Sequence, residues 1–369
     1  MLAEVSNLPS LLDSLRRQTF RQFTLYCCVN NVEGGAGYEE NQQSLRLLEQ
    51  VDDMPLVIID RSSAGLGWRG KQKGVGWARK LLFERISSEC DGGEVVVSLD
   101  ADTDFPPDYF EAVLATLNAH PCSSAFSVPY YHPLTGVDRL DRSMLRYECY
   151  MRHYLLQLLR IGSPYAFTAL GSAIAFPMWA YRRVGGITPL QGGEDFYLLQ
   201  KFVKSGSLVS QFVKPYSLRR MAVMPQGRVS DRVPFGTGPA IVHGVEGMEE
   251  RYPFYAPAGF DDVKATYEAF PLLYDAEIET PMSAFLRQQL STGDLWGPMR
   301  RNFKSRDLFV HACSERVDGL RILQYLKSNP LFRLQPSDIP VDFLHDSVAT
   351  IDEFRKGLFI EEMNLRGIV

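Results

Sequence analysis

Three aspartates alternate in the run LDADTD, Asp100, Asp102 and Asp104, directly after the apolar run EVVV. Carboxylates this close repel one another unless a cation offsets their charge. Hard oxygen ligands suit Mg²⁺ or Mn²⁺, and Mg²⁺ is usually held by one or two carboxylates plus substrate phosphates. No turn requires a buried strand to empty into D-x-D, so Asp100 and Asp102 are read as a metal and nucleotide site. Asp104, followed by Pro106 and Pro107, is read as the cap of the next helix. The plainer alternative for all three is an acidic turn with no ligand.

A second acidic pair, Glu194 and Asp195, follows two glycines in QGGEDFYLLQKFV. The glycines let backbone approach a ligand, and a helix amino end favours the anionic form of the carboxylates. An ionised carboxylate with room for substrate beside it serves as a general base. Acidic residues that merely favour a first helical turn would look the same. The stretch PQGRVSDRVPFGTG adds Arg228 and Arg232 on a loop suited to clasping phosphate or acceptor.

The elements that must position these groups are legible from periodicity. Leu8, Leu11, Leu12 and Leu15 recur at helical spacing behind a Ser6 or Asn7 cap. FTLYCCVN (23–30), PLVIID (55–60), EVVVSLD and SSAFSVP read as buried strands. Between them lie a helix with Val75, Ala78, Leu82 and Ile86 on one face and another marked by Phe110, Val113, Leu114 and Leu117. Alternation of this kind predicts an α/β fold with a largely parallel sheet covered on both faces. Ligands in such sheets gather at the carboxyl ends of strands, here marked by Asn30, Asn31, Asp60 and Asp100. An aromatic-rich helix is expected over 143–161. Beyond about Pro253 the pattern turns to helical segments near 282–290, 317–326 and 351–363.

Composition narrows the function classes. The chain has 369 residues, 45% apolar and 22% charged, with a net charge of −5. That range supports a substantial core and lacks the basic footprint of a nucleic-acid binder. Runs such as Val95–Leu99 are far short of the ~20 residues a membrane helix needs, although Arg300, Arg301, Lys304 and Arg306 leave peripheral contact with anionic lipid open. The first fifteen residues read as an amphipathic helix rather than a secretory signal. Six cysteines without a C-x-x-C pair read as small buried hydrophobes in a reducing cytosol.

Taken in order, the strand-borne D-x-D, the stretch GSAIAFPMWAYRRVGGI and the GGED helix resemble the family 2 glycosyltransferases with the GT-A fold. The resemblance covers roughly 3–206 and includes SNLPSLLDSLRRQTFRQFTLYCCVNN, similar to that family's first helix and second strand. It implies a GT-A-type, Rossmann-like mixed sheet in residues 1–252 and a mostly helical region in 253–369. It implies inverting transfer of a sugar from a nucleotide diphosphate donor, a UDP-sugar by preference, to a hydroxyl of a glycan or lipid-linked acceptor at the inner face of the membrane. In its terms Asp100 touches ribose or metal, Asp102 holds Mg²⁺ or Mn²⁺ on the diphosphate, Asp195 deprotonates the acceptor and Glu194 positions it. Arg79, in GVGWARKLLFE, falls where the family often has A-R-N, and with Lys71 or Lys73 is expected near the nucleotide. Asn30 and Asn31 stand where the family commonly carries an aspartate for the base, and His243 is the candidate for completing the metal shell.

The chain departs from that pattern at its start. The family's central first strand is missing, and Ala3-Glu4 read as the tail of the turn that follows it. Loss of a central strand leaves ladder groups unpaired at ~1–3 kcal/mol each, which predicts an amino-terminal extension of about ten residues or more. Two other classes compete: a nucleotidyltransferase, whose G-x-G-T-R-like loop is not visible, and a degenerate nucleotide-sugar-binding scaffold.

Overall fold

The computed structural model describes residues 1–212, 224–225 and 236–366. The chain divides into two compact units, one comprising Met1–Met144 with Phe167–Val245 and the other Leu145–Ala166 with the described chain from Glu246 to Arg366.

In the first unit the leucine stripe predicted near the start forms α1 (Leu8–Arg16), with Leu8, Leu11, Leu12 and Leu15 buried. The order continues as β1 (Leu25–Asn30), α2 (Tyr38–Glu49), β2 (Leu56–Arg61), α3 (Val75–Glu89), β3 (Val95–Ser98), β4 (Thr103–Asp104), α4 (Tyr109–Ala119) and β5 (Ser123–Ser127). Then come α5 (Asp138–Arg160), which carries the chain into the second unit, and β6 (Ile174–Pro177), α6 (Met178–Arg183), α7 (Glu194–Ser205), β7 (Ser207–Val209) and β8 (Met224–Pro225).

The fold is mixed α/β, built on small sheets rather than one broad parallel sheet. β1 and β2 pair in parallel with Leu25 opposite Leu56 and Asn30 opposite Arg61. A four-stranded sheet has the order β3-β6-β5-β7. β6 is antiparallel to both β3 and β5, and β5 is parallel to β7. β3 and β5 therefore run the same way, as helix-linked strands should, but β6 inserts between them in the opposite sense. Periodicity reports which residues are buried and is blind to strand direction, so the expected largely parallel sheet is corrected here. The core under this sheet is aromatic: Phe83 and Phe202 pack on Phe176, at 5.2 and 5.3 Å between ring centroids.

Asp104 does not cap α4. It lies in β4 and accepts hydrogen bonds from the Ser14 hydroxyl and the Phe105 amide, so it ties this turn back to α1. Asp108 occupies the α4 cap position without a side-chain capping bond.

The second unit is helical: α8 (Thr237–Arg251) begins in the first unit and is kinked at Gly244. It is followed by α9 (Pro257–Ala269), α10 (Ser283–Leu290), α11 (Gly297–Asn302), α12 (Arg306–Arg316), α13 (Gly319–Ser328) and α14 (Val348–Leu365). Its interior holds a charged network. Glu148 on α5 is fully buried and accepts from Arg152 and Arg355, while Arg152 also reaches Glu362 at 2.6 Å. Burying a guanidinium is costly unless carboxylates compensate it, which is what these pairings provide for Arg152 and Arg355.

Candidate active site

β3 ends at Ser98, and two residues on Asp100 presents its carboxylate beyond the sheet, with the side chain 44% exposed. Arg79, on the second turn of α3, donates from Nη2 to Asp100 Oδ1 at 2.5 Å. The same guanidinium donates from Nη1 to Oε1 of Glu194, the first residue of α7. Arg79 thus clamps the D-x-D strand end to the GGED helix start. Glu194 is 2% exposed, and Asp195 beside it is half-buried. Asp195 Oδ1 also accepts from the Phe196 amide at 2.8 Å, which holds its carboxylate at the helix amino end.

Two glycines make this approach possible. A Cβ on Gly76 would overlap the backbone of Leu190, so the start of α3 lies flush against the loop leading into α7. A Cβ on Gly171 would overlap the Arg79 guanidinium. Ser98 Oγ donates to the Gly171 carbonyl at 2.6 Å and fixes that bare segment against β3.

Three carboxylates facing one guanidinium leave negative charge in excess. Burial opposes the charge on Arg79, but Asp100, Glu194 and Asp195 outweigh it and hold the guanidinium firmly protonated. Burial is also the main influence on both acids of α7. It raises Glu194 and Asp195 from their ordinary values despite the opposing pull of Arg79, and the neighbouring Asp100 adds to the rise. Asp195 is accordingly a better base than a free aspartate.

The remaining candidates fall in different places. Asp102 is half-buried two residues beyond Asp100. Lys71 and Lys73 are exposed in the loop before α3. Asn30 and Asn31 are buried with amides engaged internally: Asn30 donates to the Met1 carbonyl and accepts from Trp68, and Asn31 donates to the Val32 carbonyl and accepts from Asn41. His243 is exposed on α8. Arg228 and Arg232 lie outside the described residues.

Among the described residues no three His, Cys, Asp or Glu side chains gather as a metal-ligand group, so His243 does not join Asp100 and Asp102 in one. Two hard-oxygen ligands at one strand end nonetheless fit a cation whose other ligands are phosphate oxygens and water. Gly76, Gly171 and Ser98 were not anticipated as contributors. Their only sequence signal is small size beside the motifs, in GVGWAR, TALGSA and VVVS.

No protein-family model matches the chain, and no curated protein matches it.

Proposed function

We propose that this chain is an inverting glycosyltransferase of GT-A type, moving a sugar from a nucleotide diphosphate donor, a UDP-sugar by preference, to a hydroxyl of a glycan or lipid-linked glycan. The observation that carries this reading is the Arg79 bridge from Asp100 to Glu194. It joins a strand end suited to a metal diphosphate with a helix start suited to an acceptor, from two stretches the sequence motifs alone keep far apart.

In this reading Asp195 takes the proton of the acceptor hydroxyl as it attacks the anomeric carbon on the face opposite the leaving diphosphate. Its raised proton affinity and its partial exposure both serve that step. Glu194 does not exchange protons with substrate: committed to Arg79, it fixes the start of α7 and the aim of its neighbour. Asp100 and Asp102 would hold Mg²⁺ or Mn²⁺, which as a Lewis acid neutralises charge developing on the diphosphate. Holding the two substrates in line supplies much of the remaining acceleration.

Among the described residues no helix is long and apolar enough to cross a membrane. Independently of that, the resemblance is the ground on which we propose that a lipid-linked acceptor is met at the cytoplasmic face of the membrane. The test is a thermal-shift screen of UDP-, GDP- and dTDP-sugars with and without Mn²⁺. A true donor raises the melting temperature by mass action. The expected result is a rise with one sugar nucleotide that needs the metal and is lost in Asp102→Asn; no rise with any of them would overturn the reading.

A further inference from the structure

Among the described residues of the second unit the buried arginines are Arg146, Arg152 and Arg355. Arg152 and Arg355 have carboxylates in ion-pair contact. Arg146, 4% exposed, has none among the described residues. Its guanidinium lies over the ring of Phe254 at 4.4 Å and that of Phe343 at 5.3 Å, two rings that stack on each other at 5.9 Å. Nη2 donates to the Tyr252 carbonyl at 3.0 Å, whereas Nη1 is buried without an acceptor.

Aromatic faces offset part of the cost of desolvating a cation. They carry no net charge, however, and leave the N–H bonds of Nη1 unused. Burial pushes the guanidinium down to about 10, so it stays cationic at neutral pH. Among the described residues the one carboxylate whose charge reaches it is Glu249, exposed on α8, and no ion pair joins the two.

The neighbours of Arg146 supply further unused groups. Arg146, Tyr150, His153 and Tyr154 share one face of α5, at steps of three and four. The run YPFY (252–255) lies along that face: Tyr252 packs on Tyr150 at 5.4 Å, Phe254 on His153 at 5.2 Å and Tyr255 on Tyr154 at 6.3 Å. The hydroxyls of Tyr150, Tyr154 and Tyr255 make no hydrogen bond among the described residues, and that of Tyr255 is buried. The groups that act on Tyr150 are Tyr255, Tyr252 and Arg146, with no carboxylate among them. Buried polar atoms are nearly always paired, and a buried charge calls for a counter-charge. Water beside Nη1 would satisfy its N–H bonds and leave the charge uncompensated.

We propose that Arg146, with the Tyr150 hydroxyl, binds an oxyanionic group of a ligand, the phosphate or carboxylate that such donors recognise, against the aromatic run 252–255. Nη1 donates to one oxygen and Tyr150 to another, while Phe254 and Phe343 fix the plane of the guanidinium. Arg146 is closed off but Tyr150 is half-buried, so the anion enters by a turn of the Tyr150 ring, a rotamer change of the kind common on binding. The site belongs to the second unit alone and stands whatever the reaction in the first.

The test follows thermal unfolding of the full chain as inorganic phosphate or acetate replaces chloride at constant ionic strength, which holds general screening fixed. Amide hydrogen exchange is read at 146–150 and 252–255. The expected result is a saturable rise in melting temperature with at least one of the two anions. Protection at both segments should increase about tenfold once that anion stands at about ten times its dissociation constant. A response to phosphate alone identifies a phosphoryl ligand, to acetate alone a carboxylate, and to both an oxyanion of either kind. The response should vanish in Arg146→Met, fall by about half or more in Tyr150→Phe, which removes one of the donors, and persist in Asp102→Asn, which alters only the acidic site of the first unit. If Arg146→Met fails to fold, Arg146→Lys, which keeps the charge and loses the planar fork, takes its place with a weakened response expected. No rise with either anion in the wild type would overturn the proposal, as would a full response in Arg146→Met or, in its place, in both Arg146→Lys and Tyr150→Phe.

Discussion

Arg79 on α3 and Glu194 at the start of α7, 115 positions apart, are joined by an ion pair in the interior of the first unit. The same guanidinium holds Asp100, so one side chain sets the spacing between two acidic motifs. Its removal should therefore be felt twice, in stability and in turnover.

Replacing Arg79 with Met leaves Glu194 buried without a partner, a change of the kind that costs about 3–5 kcal/mol. The loss should shrink toward pH 5, because a lone buried carboxyl takes up a proton. Urea unfolding at pH 5 and pH 7.5 measures both values, and equal losses at the two pH values would contradict the assignment.

Asp195→Asn keeps the shape of the site and removes the base. Turnover should fall by about 10²–10⁴-fold, while calorimetric affinity for the sugar nucleotide stays within a factor of about three. A scaffold without chemistry would show no turnover to lose in either protein.

Both acids of α7 titrate above their ordinary values, 4.5 for Glu194 and 3.8 for Asp195, because burial disfavours their charge. Folding then favours their protonated forms. The stability this contributes is full below those ordinary values and is lost as pH rises through the raised folded ones. Relative to the Glu194→Gln, Asp195→Asn double variant, the wild type should lose melting temperature as pH is raised from about 4 toward neutrality. The acid limb of the pH–rate profile should be displaced upward from the ordinary aspartate value for the same reason.

Gly171→Ala inserts a methyl where the Arg79 guanidinium lies. Overpacking of this kind typically destabilises by about 1–3 kcal/mol, and the displaced guanidinium should lose Asp100 before Glu194, since Asp100 is the more exposed partner. The metal-dependent thermal shift with donor should weaken in this variant, whereas Gly293→Ala, at an exposed position with open space around it, should leave it intact.

Local order was legible because it is written in residue types at short range. The leucines of α1, the strand EVVVS and the acidic opening of α7 could each be placed from spacing alone, and both acidic motifs lie at element ends as expected. The antiparallel entry of β6 was not legible, because an apolar run reads the same in either direction. Nor was the fate of Asn30 and Asn31, since an amide at a strand end gives no sign of whether ligand or interior will satisfy it; Trp68 and Asn41 decide that here.

The sequence by itself determined where carboxylates are concentrated and which helices and strands carry them, since helix and strand periods and charge spacing are properties of neighbouring residues. Only the tertiary structure decided that Arg79 is shared by Asp100 and Glu194, and that the Arg146 guanidinium is buried over Phe254. Those relations depend on contacts between segments remote in the chain, the first of them made possible by close packing at Gly76 and Gly171, rather than on any local preference.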